Sequence, residues 1–209
     1  MKLFLTSMYF GNNADALALL HSGSRKVAIC LNANDFLGDA GRLKYFNKTS
    51  KDFECLGFEV EEIDLRHYFG KPNQLKMYLD TVGIFWAAGG NTFNLRRAFK
   101  YSGMDVLLPE ILKGDHFIYG GFSAGACIMS PSLTGLNLVD NPEEIPAGYD
   151  KDIVWSGLNL VDYQIVPHYN SVNKSLAKLM QDIIIMYDKE NIVYKTLTDE
   201  QILIVHGLV

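Results

Sequence analysis

The run at residues 26–32, Lys-Val-Ala-Ile-Cys-Leu-Asn, is almost entirely apolar. A strand with one wet face alternates polar and apolar residues. A strand without that alternation is buried on both faces, as in a parallel sheet covered by helices. The rest of the chain fits such a sheet. Strands are expected at residues 2–7, 26–32, 58–65 and 81–87, and a short apolar run, His116-Phe117-Ile118-Tyr119, makes another. Helices are expected between them, at about 40–56, 72–79, 93–100 and 104–113. Asn12-Asn13-Ala14-Asp15 is placed to cap an earlier helix carrying Leu17, Leu19 and Leu20. Strands alternating with helices define an α/β fold with a mostly parallel sheet. The 209 residues suit one domain, spanning 1–209, with a substantial core.

Further along, residues 130–157 are irregular and hold Pro131, Pro142, Pro146 and the pair Glu143-Glu144. A segment of that length is long for a plain connection and favours a lid or short β additions. Order returns at 158–161 and 163–166, then at a helix over 175–187 with an apolar stripe at Leu176, Leu179, Met180, Ile183 and Ile184. The chain closes with residues 191–194, a turn at Thr198-Asp199-Glu200 and a final strand at 201–206.

Composition excludes several classes. The net charge is −5, and no lysine or arginine run offers a nucleic-acid footprint. Cys30, Cys55 and Cys127 are odd in number and form no C-x-x-C, which suits a reduced, cytoplasmic protein without disulfides or a zinc site. No apolar run approaches a membrane span.

One stretch carries chemistry. Gly120-Gly121-Phe122-Ser123-Ala124-Gly125-Ala126-Cys127 follows the fifth apolar run. Within it, Gly121 to Gly125 matches G-x-S-x-G, the turn that lifts a nucleophilic serine clear of a sheet. Such a turn strains the serine backbone, so its neighbours must be small; Gly121, Ala124, Gly125 and Ala126 are. An ordinary glycine-rich βα turn would share these features. A serine nucleophile needs a base, and His168 ends an apolar strand in a Pro-His-Tyr-Asn turn. Strand carboxyl ends share one edge of a parallel sheet, so His168 and Ser123 are expected on the same edge. Orienting carboxylates are available at Asp140, Asp162, Asp199 and Glu200, and spacing does not choose among them. Ala88-Gly89-Gly90-Asn91-Thr92 sits between a strand and a helix. Its N–H groups face the same edge, and Asn91 or Thr92 can also serve as the helix cap.

The ordered combination of Gly89-Gly90-Asn91-Thr92, Gly121-Phe122-Ser123-Ala124-Gly125-Ala126 and Pro167-His168-Tyr169 resembles the peptidase E family of serine peptidases. That family includes aspartyl dipeptidase and cyanophycinase. The resemblance covers most of the chain. It implies a flavodoxin-like fold akin to the class I glutamine amidotransferases, with serine in place of their cysteine. It implies Ser123 as nucleophile, His168 as base, Asp199 as third member with Glu200 one residue off, and Gly90 and Ala124 N–H groups as oxyanion donors. Asn91 and Thr92 would contact substrate. It implies no metal or cofactor, a small peptide substrate, and a monomer or homodimer. The order Ser, His, Asp differs from the α/β-hydrolase order Ser, Asp, His. Residues 170–178 hold only Lys174 and Lys178 as basic groups, so the resemblance extends to the hydrolytic core and not to specificity for N-terminal aspartate. An ester or other acyl substrate, or a non-catalytic binding protein on the same fold, are the competing expectations.

Overall fold

The computed structural model describes residues 1–11 and 14–207. The cap expected at Asn12 and Asn13 lies outside the described residues. Five parallel strands and one antiparallel edge strand form the main sheet. They are β1 (Lys2–Thr6), β2 (Lys26–Cys30), β3 (Glu59–Ile63), β4 (Ile84–Ala87), β5 (Ile118–Phe122) and, at the antiparallel edge, β8 (Ile202–His206). The order is β3-β2-β4-β5-β1-β8. Two further strands, β6 (Gln164–Val166) and β7 (Tyr194–Thr196), form a separate two-stranded parallel sheet.

The apolar strands are buried on both sides because each contributes alternate residues to two separate cores. Leu3, Leu5, Ala28, Cys30 and Phe85 face one; Phe4, Val27, Ile29, Ile84 and Trp86 face the other. Helices α1 (Ala14–Leu20) and α2 (Gly38–Cys55) close the second face, through Leu17 and Phe53. Helices α3 (Pro72–Leu79), α4 (Thr92–Ser102), α5 (Met104–Ile111) and α7 (Lys174–Glu190) close the first. At roughly 25 cal/mol per Å² of apolar surface removed from water, these two layers are the main stabilising term. Among the described residues no helix is long and apolar enough to cross a membrane.

Two elements differ from expectation. The order expected at 158–161 is not regular secondary structure; those residues are held as irregular chain by Leu158 N–H to Ile128 O (2.8 Å) and Leu160 N–H to Met129 O (2.9 Å). The helix after the G-x-S-x-G turn, α6 (Ala124–Cys127), is a single turn. Small residues let it sit close to the sheet, where Tyr119 donates its buried hydroxyl to Gly125 O at 2.7 Å.

The long segment at 130–157 holds one short 3-10 turn, Leu136–Leu138, and one isolated bridge, Ser132 to Ser156. Arginines of α4 strap it down. Arg97 donates to Asp152 O at 2.9 Å and Pro142 O at 2.6 Å, and Arg96 donates to Ser156 O at 2.8 Å. Backbone carbonyls that would be orphaned in an irregular segment thereby gain charged donors. It is an anchored wall rather than a free flap.

Candidate active site

The carboxyl ends of β1, β4 and β5, three adjacent strands, converge on one point. Ser7 follows β1, Gly89-Gly90 follows β4 and Ser123 follows β5. Ser123 N–H donates to Thr6 O at 3.1 Å, tying the turn to β1. Its backbone has φ +51° and ψ −113°, a region that costs a non-glycine residue about 1–3 kcal/mol. The strain aims the hydroxyl out of the sheet.

His168 reaches Ser123 by a route other than the expected one. It does not end a strand of the main sheet; it follows β6, in the separate two-stranded sheet. In that sheet Val166 pairs with Thr196, and the strands are parallel, so both exit at the same end. Leu197 N–H bonds Val166 O at 2.9 Å and Tyr169 N–H bonds Leu197 O at 3.0 Å. This register brings His168 and Asp199 together. The turn at His168 is left-handed, with φ +58°.

The polar contacts then run in series. His168 Nε2 lies 3.0 Å from Ser123 Oγ, and His168 Nδ1 lies 2.7 Å from Asp199 Oδ1. A carboxylate only accepts, so Nδ1 carries the proton and Nε2 is free to accept from the serine. Asp199, rather than Glu200, is the carboxylate at His168. Ser7 and Ser171 complete the arrangement. Ser7 Oγ accepts from His168 N–H at 2.7 Å and donates to Asp199 Oδ1 at 3.2 Å; Ser171 Oγ donates to Asp199 Oδ2 at 2.7 Å. Sequence reasoning missed both serines. Ser7 had a signal, a polar residue at the carboxyl end of an apolar strand. Ser171 had none, because its role depends on the β6–β7 register.

Burial works to raise the Asp199 pKa, but hydrogen bonds from Ser171 and His168 outweigh it and hold the carboxyl below its ordinary range. The native state therefore binds this proton less readily than the unfolded chain. The stability it contributes is complete above the ordinary carboxylate value, about 4, and is lost as pH falls through the lower native value. Urea midpoints measured from pH 5 down to pH 2 should fall, and the fall should be shallower in Asp199→Asn.

Ser171→Ala should lower kcat about tenfold with little change in KM, the scale of one lost hydrogen bond to a charged group (about 1.4 kcal/mol). Ser171→Thr, which keeps the hydroxyl, should restore most of it.

Gly90 has φ +142°, and a Cβ there would lie 2.5 Å from Ala33 O, so only glycine fits. Among the described residues, the N–H groups of Gly90 and Ala124 donate no hydrogen bond. Asn91 and Thr92 line the cavity beside Ser123, but their polar groups are engaged. Asn91 Oδ1 caps α4 by accepting from Phe93 N–H (3.0 Å) and Asn94 N–H (3.2 Å), and its Nδ2 donates to Asn141 O at 2.8 Å. Thr92 donates N–H (2.9 Å) and hydroxyl (2.6 Å) to Asp140 Oδ2. The cavity has a volume of about 440 Å³ and opens over Ser123 and His168. Among the described residues no cluster of His, Cys, Asp or Glu is arranged to hold a metal ion. Cys127, one turn past Ser123, has its thiol pushed well up by burial and donates it to Ile165 O, so it packs as a core residue.

Fold and site together are those of a serine-type hydrolase on a flavodoxin-like α/β sheet. The model of peptidase family S51 matches residues 34–208, and the chain belongs to that family; it is a serine peptidase. An uncharacterized peptidase of Listeria monocytogenes is 32% identical over 163 residues, 77% of this chain and 74% of that protein. Peptidase E of a Nostoc species is 30% identical over 128 residues, 61% of this chain and 46% of that protein. The crystal structure of a Listeria monocytogenes EGD-e protein described as a peptidase E superposes with a TM-score of 0.78 at 26% identity, covering 99% of this chain and 94% of that one.

Proposed function

We propose that the chain hydrolyses short peptides through an acyl-enzyme, with Ser123 as nucleophile, His168 as general base and acid, and Asp199 as the orienting carboxylate. The observation that carries this is the unbroken series from Ser123 Oγ through both imidazole nitrogens to Asp199, at 3.0 and 2.7 Å. Ser123 Oγ attacks the peptide carbonyl carbon as its proton passes to His168 Nε2. Asp199 holds the tautomer and stabilises the imidazolium. The undonated N–H groups of Gly90 and Ala124 receive the oxyanion, a contribution of about 3 kcal/mol per donor in comparable sites. The intermediate collapses, the C–N bond breaks, and the leaving amine takes the proton from His168. Water, deprotonated by His168, then hydrolyses the ester and regenerates Ser123.

The cavity of about 440 Å³ favours a dipeptide-sized substrate over a long chain. The three free cysteines fit action in the cytoplasm. The test is labelling by a fluorophosphonate probe alongside hydrolysis of dipeptide and p-nitrophenyl ester panels. Labelling of the wild type and not of Ser123→Ala supports the assignment. Equal labelling of both, or hydrolysis of esters alone, overturns it.

A further inference from the structure

We propose that the cavity selects a peptide with a free α-ammonium group, held between the Asp140 and Glu144 carboxylates, and an apolar N-terminal side chain. The inference rests on the peptidase reading above and names its substrate class.

The acidic side chains lining the cavity are Asp140 and Glu144; among the described residues no lysine or arginine lines it. Asp140 Oδ2 is committed to Thr92, but Oδ1 accepts no hydrogen bond among the described residues. Glu144 receives one long bond, 3.4 Å from Asn91 Nδ2. The nearby arginine, Arg97, spends its donors on Asp152 O, Pro142 O and Asn94 Oδ1. Burial pushes the Asp140 carboxyl up despite the opposing hydrogen bonds from Thr92, and the Glu144 charge adds a smaller push. Two carboxylates lining one cavity, with hydrogen bonds from Thr92 and Asn91 but no cationic partner among the described residues, are costly unless a cation arrives with the ligand. A primary ammonium offers three donors and one positive charge, which suits two acceptors. Leu136, Val139, Leu176 and Met180 give the cavity an apolar side, with Asn91, Thr92 and Asn141 also lining it. The apolar side suits an aliphatic side chain. An acidic one would meet Asp140 and Glu144 with like charge.

Arylamides of Leu, Asp, N-acetyl-Leu and N-acetyl-Lys test this on the intact protein. Leu should be cleaved with kcat/KM at least about tenfold above Asp, and acetylation of its amine should remove about tenfold or more, the scale of a charged hydrogen bond. Glu144→Gln should raise KM for the Leu substrate about tenfold, several times more than it changes KM for N-acetyl-Leu. Asp cleaved as well as Leu, N-acetyl-Leu cleaved as well as Leu, or N-acetyl-Lys cleaved best would each overturn the proposal; the last moves the ammonium to the side chain. If no arylamide is cleaved, protection against the fluorophosphonate decides. Slower labelling of Ser123 with L-leucinamide than with N-acetyl-leucinamide supports the α-amine site, and equal protection overturns it. Failure of Ser123 to label at all overturns the peptidase mechanism instead.

Discussion

Ser123→Ala should lower peptidase turnover by ~10⁴–10⁶-fold, the largest catalytic effect expected from any single change in this chain. The reason is geometric. The Ser123 hydroxyl is the group that meets His168 Nε2, at 3.0 Å, and among the described residues no other side chain is hydrogen-bonded to that nitrogen. Cys127 lines the same cavity, but its thiol is buried and donated to Ile165 O, and its pKa is pushed well up by that burial. Alanine keeps the Cβ and the strained backbone at φ +51°, so the melting temperature should move by only a few degrees. His168→Ala should lose activity on a similar scale, and the double variant should lose little more, since the pair acts as one unit. Additive losses in the double variant would show that the two residues work independently.

Gly125→Ala should give a large loss of stability. Helix α6 rests against β4 through Gly125. A Cβ built there falls inside the contact distance of Ala87 O, 2.9 Å from the Ala87 carbonyl carbon and 3.0 Å from its Cβ. The obstacle is backbone in β4, which is paired to β2 on one side and β5 on the other, so it cannot move aside without breaking ladder bonds. Relief must come from α6, and α6 carries the Ala124 N–H and the turn of Ser123. The expected cost is about 3 kcal/mol, the upper range for overpacking. For a chain of this length that is about 6–12 °C in melting temperature. Activity should fall as well, because the donor and the serine shift together. A melting temperature within about 2 °C of wild type would mean that the helix has room the packing does not show.

Much of the fold was legible because its signals are local. Near-continuous apolar runs such as Val27 to Leu31 reported burial on both faces, and the two cores on either side of β1, β2 and β4 follow from it. The G-x-S-x-G turn and the Gly89-Gly90 turn were readable for the same reason. Each is a short stretch whose small residues are required by its own backbone and its nearest strand.

Sequence by itself therefore determined the α/β class, the turns that end β4 and β5, and Ser123 and His168 as the residues to watch. The tertiary structure decided how they meet. His168 arrives on β6, outside the main sheet, and it meets Asp199 because Val166 pairs with Thr196 across nearly thirty residues of intervening chain. Which distant strand β6 pairs with is a non-local choice, made when the chain closes and not by β6's three residues alone. It also decided between Asp199 and Glu200 and recruited Ser171. The segment at 130–157 read as irregular because its order is borrowed from Arg96, Arg97 and Thr92 on α4. Its carbonyls and Asp140 find their partners only after the chain has closed. Local sequence carries the propensity of a backbone; which side chains share a cavity is settled by pairing between distant segments.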